Sequence, residues 1–145
     1  MIAAVLDTNT IVSGTLAPRG IPHRILEAAR TGQFTLITSA VIIAEVFTTL
    51  DRDRIKRKYH IRGADTERLR DLLEHETSVT PLVAEVHDVA THPEDDLILA
   101  TAVSGKADYL VTGDEQLQKV RVYQRVRIVS PREFMDILNQ EQPER

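Results

Sequence analysis

Apolar residues along this chain fall into two patterns. Short continuous runs rich in branched residues occupy positions 2–6, 34–38, 109–112 and 126–129, and such runs predict strands buried on both faces. Between them the apolar spacing is helical. Residues 22–30, entered from Ile21, carry Ile25, Leu26 and Ala29 on one side, with Gly32 placed to stop the helix. Residues 40–50 follow a natural N-cap, Ser39, and align Val41, Ile42, Val46 and Leu50. Residues 64–76 set Leu69, Leu72 and Leu73 inward and Arg68, Arg70, Asp71 and Glu74 outward, with Asp65 a cleaner start than Thr66. From Pro93 a Pro-Glu-Asp-Asp first turn suits the positive end of a helix dipole, and Gly105 should close the apolar stretch that follows. A helical turn at 115–119 and a helix at 131–138, with Pro131 near its first position, complete the set. Residues 8–20, with Gly14, Pro18 and Gly20, read as a loop, and 78–83 as a strand that Pro81 confines to a sheet edge.

Strands alternating with helices, on connections long enough to cross over, predict an α/β architecture with a parallel sheet covered on both faces. No internal repeat or linker divides the chain, so residues 1–139 are expected to form one domain and 140–145 a flexible tail. Its 145 residues suffice for one core, and 42% hydrophobic with 28% charged residues excludes a disordered or low-complexity chain. The absence of cysteine removes disulfides, thiolate metal sites and a cysteine nucleophile together. A reducing compartment fits that absence, and no stretch approaches the roughly 20 apolar residues of a membrane span; a cytoplasmic location is expected. Net charge is −4, so no global field advertises a nucleic-acid binder. The basic residues are nonetheless concentrated, with Arg52, Arg54, Lys56, Arg57, Lys58 and Arg62 set against only Asp51 and Asp53.

In a parallel α/β sheet, sites form outside the carboxyl ends of the strands. Asp7 ends the first strand, Glu45 lies on the helix after the second, Asp95 opens the helix containing LILATA, and Asp114 follows YLVTG. They are too far apart in sequence for a local helical ladder; only the fold could bring them together. Two carboxylates about 4 Å apart repel by roughly 4 kcal/mol at an effective dielectric near 20, so a convergent cluster needs protons or a cation. All-oxygen donors select Mg²⁺ or Mn²⁺ over zinc, and such an ion suits phosphodiester hydrolysis. Each acid also has a structural reading. Asp7 can cap a turn, Glu45 can sit on a solvated helix face, Glu94, Asp95 and Asp96 can all complement a helix dipole, and Asp114 can be a turn residue after Gly113. His75, His87 and His92 show no ligand spacing, and surface or helix-end roles are expected for them. Neither a Walker loop nor GxGxxG is present, so nucleotide hydrolysis and dinucleotide binding have no support.

Taken together, LDTN at 6–9, SAVIIAEV at 39–46, PEDDLILATAVSGKADYLVTGD at 93–114 and IVSPREFMDIL at 128–138 resemble the PIN domain. Within it they are similar to VapC-type ribonucleases, the toxins of bacterial and archaeal toxin–antitoxin pairs. The resemblance implies a three-layer α/β/α sandwich around a central, mostly parallel sheet, and metal-dependent endonucleolytic cleavage of RNA. It places catalysis and Mg²⁺ or Mn²⁺ binding on Asp7, Glu45, Asp95 and Asp114. Asp95 takes the third place over Asp96 because the family acid precedes its apolar helix in a D-x-x-x-x-A-x-A register. Asn9 and Thr112 match supporting polar positions, with Asp96 and Ser13 as secondary candidates; His92 stands where this branch often has a further Asp. Contacts to the RNA backbone are expected from Arg52, Arg54, Lys56, Arg57, Lys58 and Arg62, with Tyr59 and His60 available for stacking and Arg19 and His23 of lower rank. A toxin further implies an antitoxin whose tail offers an arginine to the acidic cleft, and a homodimer; no membrane association is expected, since no apolar stretch is long enough to span. Three other readings compete. A phosphatase using Asp7 as nucleophile would want a second Asp where Asn9 stands. A receiver-like domain would need acidic neighbours that Asp7 lacks. A non-catalytic PIN-fold module binding RNA or protein would not require four intact acids.

Overall fold

A computed structural model of the chain describes residues 1–87 and 93–141. Its strands are β1 (Ala3–Leu6), β2 (Thr35–Thr38), β3 (Ser78–Val79), β4 (Tyr109–Val111), β5 (Val122–Tyr123) and β6 (Val126–Val129). They form one sheet in the order β3-β2-β1-β4-β6-β5, parallel throughout except where β5 meets β6. Helices α1 (Thr8–Leu16), α2 (Ile21–Arg30), α3 (Ala40–Leu50), α4 (Asp53–Tyr59), α5 (Gly63–His75), α6 (Pro93–Ser104), α7 (Glu115–Gln118) and α8 (Pro131–Glu141) connect them. The expected α/β sandwich is the one observed.

Register decides which side chains share a face. Val5 pairs with Ile37 on one side and Leu110 on the other, and this row lies beneath α6, where a Cβ on Gly105 would come within 2.6 Å of Ile37 Cγ2. The alternate row faces α8, with Tyr109 edge-on to Phe134 at 5.9 Å between centroids and Phe134 edge-on to Phe34 at 5.0 Å. Helices on both faces explain why the central strands are uninterrupted apolar runs, with Ala4, Val5, Leu6, Leu110 and Val111 all fully buried.

Several local expectations are corrected. Residues 8–16 form α1 where a loop is expected, although TNTIVSGTL has poor helix propensity. Asp7 caps it, and burial of Ile11 and Val12 together with close packing on α2 overrides propensity. Gly14 permits that approach, since a Cβ there would stand 2.8 Å from the Pro22 carbonyl oxygen. The basic stretch is partly helical, as α4. Val41 is exposed on α3 while Ile42, Val46 and Leu50 are buried. Ser39 sits at the N-cap of α3 but its hydroxyl makes no capping bond. The 78–83 segment is a strand only at Ser78–Val79, before the proline that cannot donate to a ladder. The C-terminal helix runs past Leu138 to Glu141, so positions 140 and 141 of the expected tail are helical; 142–145 lie outside the described residues. At its start Ser130 and Glu133 cap each other reciprocally, with Ser130 N–H donating to Glu133 Oε1 at 3.0 Å and Glu133 N–H to Ser130 Oγ at 3.1 Å.

Helix ends show how glycines are used. Gly32 does stop α2: its φ is +77°, and Gln33 N–H reaches back to the Ala28 carbonyl at 2.9 Å, a Schellman closure. In α6 the same closure, Ala107 N–H to the Ala102 carbonyl at 2.9 Å, puts Lys106 rather than Gly105 at positive φ, +57°. Gly105 is therefore required by its contact with Ile37, not by backbone conformation.

Candidate active site

The side on which strands are added reverses at the middle of the sheet: β2 and β3 extend from one side of β1, while β4 and β6 extend from the other. The switch point lies between β1 and β4, and the carboxyl ends of strands at such a point are where α/β sheets bind ligands. Asp7 and Asp114 follow those two strands. Asp7 is only 6% exposed. Its Oδ1 accepts from Thr10 N–H at 2.8 Å, the N-cap bond of α1, and its Oδ2 accepts from the Thr112 hydroxyl at 2.5 Å. Its own N–H donates across the switch point to the Val111 carbonyl at 3.1 Å. The carboxylate is thus fixed from both strands.

Thr112, fully buried, is the hub. While its hydroxyl donates to Asp7, the same oxygen accepts from Asp114 N–H at 3.0 Å, and its carbonyl accepts from Gln118 Nε2 at 2.7 Å. Asp114 caps α7 through Oδ1, which accepts from Gln116 N–H at 2.8 Å and Leu117 N–H at 3.4 Å. Its Oδ2 has no hydrogen-bond partner among the described residues. Glu45, half-buried on α3, has neither a hydrogen bond nor an ion pair among the described residues. Asp95 and Asp96 are half-buried in the first turn of α6. Asn9 and Ser13 are exposed on α1. Asp7, Thr112 and Asp114 are therefore joined in one hydrogen-bonded unit, to which Glu45 contributes no bond. Among the described residues, no three His, Cys, Asp or Glu side chains are gathered as a bound metal ion would gather them.

Two buried hydroxyls, Ser39, read from the sequence only as an N-cap, and Thr101, not singled out there, organise the neighbouring helices. Ser39 Oγ and Thr101 Oγ1 lie 2.9 Å apart, and Thr101 Oγ1 donates to the Leu97 carbonyl at 2.9 Å, so Ser39 is the donor to Thr101. This bond ties the start of α3, which carries Glu45, to α6, which carries Asp95. The signal for it was a lone threonine inside the apolar LILATA run. Thr8 Oγ1 and Thr38 Oγ1, at the carboxyl ends of β1 and β2, are buried without a hydrogen-bond partner among the described residues.

The basic candidates Arg52, Arg54, Lys56, Arg57, Lys58 and Arg62 are all exposed. Part of their charge is answered locally: Lys56 Nζ lies 2.7 Å from Asp51 Oδ1 and Arg62 Nε 3.7 Å from Asp65 Oδ2. The hydrogen bond and charge of Asp51 raise the Lys56 pKa above its usual value. Lys58 lies over the exposed Tyr59 ring, 5.3 Å from its centroid, and His60 ends α4 in a left-handed conformation. Arg19 is exposed, whereas His23 Nδ1 is 3.0 Å from the Gly14 carbonyl oxygen, a contact between α1 and α2. His75 is exposed in the last turn of α5 and His87 lies 3.7 Å from Glu85; His92 falls outside the described residues.

A family model of the PIN domain matches residues 3–116. The chain belongs to the PIN domain family. Among solved structures, it is similar to a chain of VapBC2 from Rickettsia felis, crystallised bound to a DNA fragment from their promoter. The two share 14% identity over 89% of this chain and 98% of that one, with a TM-score of 0.59. It is also similar to a chain of FitAcB from Neisseria gonorrhoeae, at 19% identity over 88% of this chain and 97% of that one, with a TM-score of 0.51. No curated protein matches it. No helix among the described residues is long and apolar enough to cross a membrane.

Proposed function

We propose that this PIN domain is a metal-dependent endoribonuclease acting as the toxin of a toxin–antitoxin pair. The observation that carries the reading is the buried Asp7 carboxylate at the β1/β4 switch point, held by Thr10 N–H and the Thr112 hydroxyl and joined through Thr112 to Asp114. Folding a carboxylate into the protein is costly unless it is hydrogen-bonded, and two donors are provided to keep it there. A structural cap would need only the first.

In donor chemistry the four acids suit a hard divalent cation such as Mg²⁺ or Mn²⁺, which would have to draw them together. Asp7, Asp95, Asp114 and Glu45 offer oxygen alone, Asp114 Oδ2 and the Glu45 carboxylate are unengaged among the described residues, and the chain has no cysteine to compete. When bound, the ion would neutralise phosphate charge and lower the pKa of a coordinated water. The residues would divide the remaining work. Asp7, Asp95 and Asp114 would hold the ion, Glu45 would join them or orient the attacking water, and Thr112 would keep Asp7 aimed while Asn9, Asp96 and Ser13 support the rim. Attack by water rather than the ribose 2′-hydroxyl leaves a 5′-phosphate and a 3′-hydroxyl. The basic residues between Arg52 and Arg62 supply backbone contacts to an RNA that the acidic site itself repels. An antitoxin partner and a homodimer follow from the same reading.

The test is cleavage of a mixed RNA panel by the purified protein in Mg²⁺, Mn²⁺ or EDTA, beside folded Asp7→Asn and Asp95→Asn variants. Calorimetric metal titration of the same proteins accompanies it. Metal-dependent cutting and metal binding, both lost in the variants, support the reading. A folded wild type that neither binds metal nor cuts would refute it and leave a binding module.

A further inference from the structure

The basic segment singled out in the sequence is not the only concentration of exposed cations among the described residues. Between Gln116 and Arg132 the chain contains Lys119, Arg121, Arg125, Arg127 and Arg132 and no acidic residue, in a protein whose net charge is −4. All five are exposed, and among the described residues none forms an ion pair. The α4 cluster, by contrast, has Lys56 and Arg62 paired to aspartates.

The fold arranges these five along one edge of the sheet, starting at the acidic site. Asp114 caps α7, and Lys119 ends it. The Arg121 carbonyl then accepts from Ile128 N–H at 2.8 Å, and Val122 and Tyr123 pair with Arg127 and Val126. Lys119 and Arg121 therefore lead away from Asp114 towards Arg127 and the Gln124–Arg125 turn, while Arg132 stands in the first turn of α8 at the carboxyl end of β6. Lys119, Arg121 and Arg127 line an open groove of about 640 Å³ with Tyr109 and the 54% exposed Val122. Its acids are Glu115 and Glu133, and the latter is engaged by Ser130 N–H.

Backbone conformation adds an independent observation. Arg121, Gln124 and Arg125 have φ of +66°, +44° and +73°. The last two form the two-residue turn of an antiparallel hairpin, where positive φ at both positions favours Asn and Gly. Arginine thus stands twice where a smaller residue would be less strained. Strain of this kind points to function when the side chain has no structural partner to justify it.

We propose that the β5–β6 edge, from Lys119 to Arg127 with Arg125 and Arg132 flanking, is a track for the phosphate backbone of single-stranded RNA leading into the acidic site. The proposal rests on the nuclease reading for its direction. It assigns the positive charge that the carboxylates require to a surface contiguous with Asp114, with Tyr109 and Val122 offering apolar contact to bases.

The experiment measures binding of a fluorescein-labelled single-stranded RNA to the full-length protein by anisotropy across 0.05–1 M salt, as an order-of-magnitude range over which counterion release is resolved. EDTA is present and the RNA is verified intact. Arg121→Asn/Arg125→Asn removes two cations while easing both positive-φ positions; Lys119→Gln/Arg127→Gln removes two of the three cations that line the groove. Each lost phosphate contact lowers the magnitude of the log–log salt slope by about 0.7, so each double variant should lose about 1.4. That corresponds to roughly 25-fold weaker binding at 0.1 M and little change at 1 M. The asparagine variant should melt no lower than wild type, which separates lost charge from lost structure. An unchanged slope and affinity would overturn the track, as would no RNA binding by wild type. So would variants that self-associate while binding RNA normally, which would make the charges edge protection. Weakened binding of polyglutamate with RNA binding intact would likewise overturn it, in favour of an acidic protein partner. Separate cleavage and metal-binding assays distinguish the two readings: hairpin-dependent RNA binding with neither metal binding nor cleavage keeps the track and sinks the nuclease, and cleavage indifferent to the hairpin does the reverse.

Discussion

Thr112→Val is the sharpest perturbation of the acidic site, because it keeps the shape of the side chain and deletes one oxygen. That oxygen donates to Asp7 Oδ2 and accepts from Asp114 N–H at 3.0 Å, both with Thr112 fully buried. Losing a hydrogen bond to a charged group costs about 1.5–3 kcal/mol. The Asp114 amide is partly accessible to water and adds about 0.5–1 kcal/mol. The expected loss is therefore about 2–4 kcal/mol, or a melting temperature lower by about 5–15 °C for a chain of this size. Urea unfolding in metal-free buffer measures it, with an unchanged m-value showing that the native state alone was affected. Thr112→Ser, which restores the hydroxyl, should recover most of the loss. In a cycle with Asp7→Asn the two substitutions should be non-additive by at least about 1 kcal/mol. A Thr112→Val protein within about 0.5 kcal/mol of wild type would refute the reasoning, since surface changes without such partners fall in that range.

Other consequences of the fold are open to the same measurements. Gly14→Ala should destabilise by about 1–3 kcal/mol, because its Cβ would meet the Pro22 carbonyl oxygen at 2.8 Å and backbone cannot step aside; thermal unfolding checks this. Lys106→Gly should stabilise by about 0.5–1 kcal/mol by relieving a φ of +57° at the end of α6, whereas Gly32→Ala, at +77°, should destabilise by about 1–2 kcal/mol. Ser39→Ala should cost about 1–2 kcal/mol and lower RNA cleavage beyond its effect on folded fraction, because the Thr101 bond ties the helix carrying Glu45 to the helix carrying Asp95.

How much of this was legible in the sequence depends on where the information lay. The central strands were readable because both faces are covered, which turns each into an unbroken apolar run such as AAVL or YLV. The helix α1 was not, since TNTIVSGTL is stabilised by a cap at Asp7 and by packing across Gly14, neither of which is a periodicity. The hairpin of β5 and β6 was equally hidden: a turn with Gln124 and Arg125 at positive φ carries none of the Asn or Gly that would announce it. Among the candidate site residues, Asp7 drew notice from its place at the end of a buried strand. The Thr112 hub followed only from motif resemblance, and its two-sided hydrogen bonding needed the parallel pairing of β1 with β4. Glu45 shows the limit most plainly. On α3 its neighbours Ile42 and Val46 are buried and Ala44 is exposed, so helical periodicity places it at the boundary, where a solvated acid and a site acid look alike. The fold leaves it a half-buried carboxylate without a hydrogen bond or ion pair among the described residues, on the helix that Ser39 ties to α6. A charge held in that position without a partner is one that a cation or an incoming arginine would stabilise, which is the property a metal site and an antitoxin cleft both require.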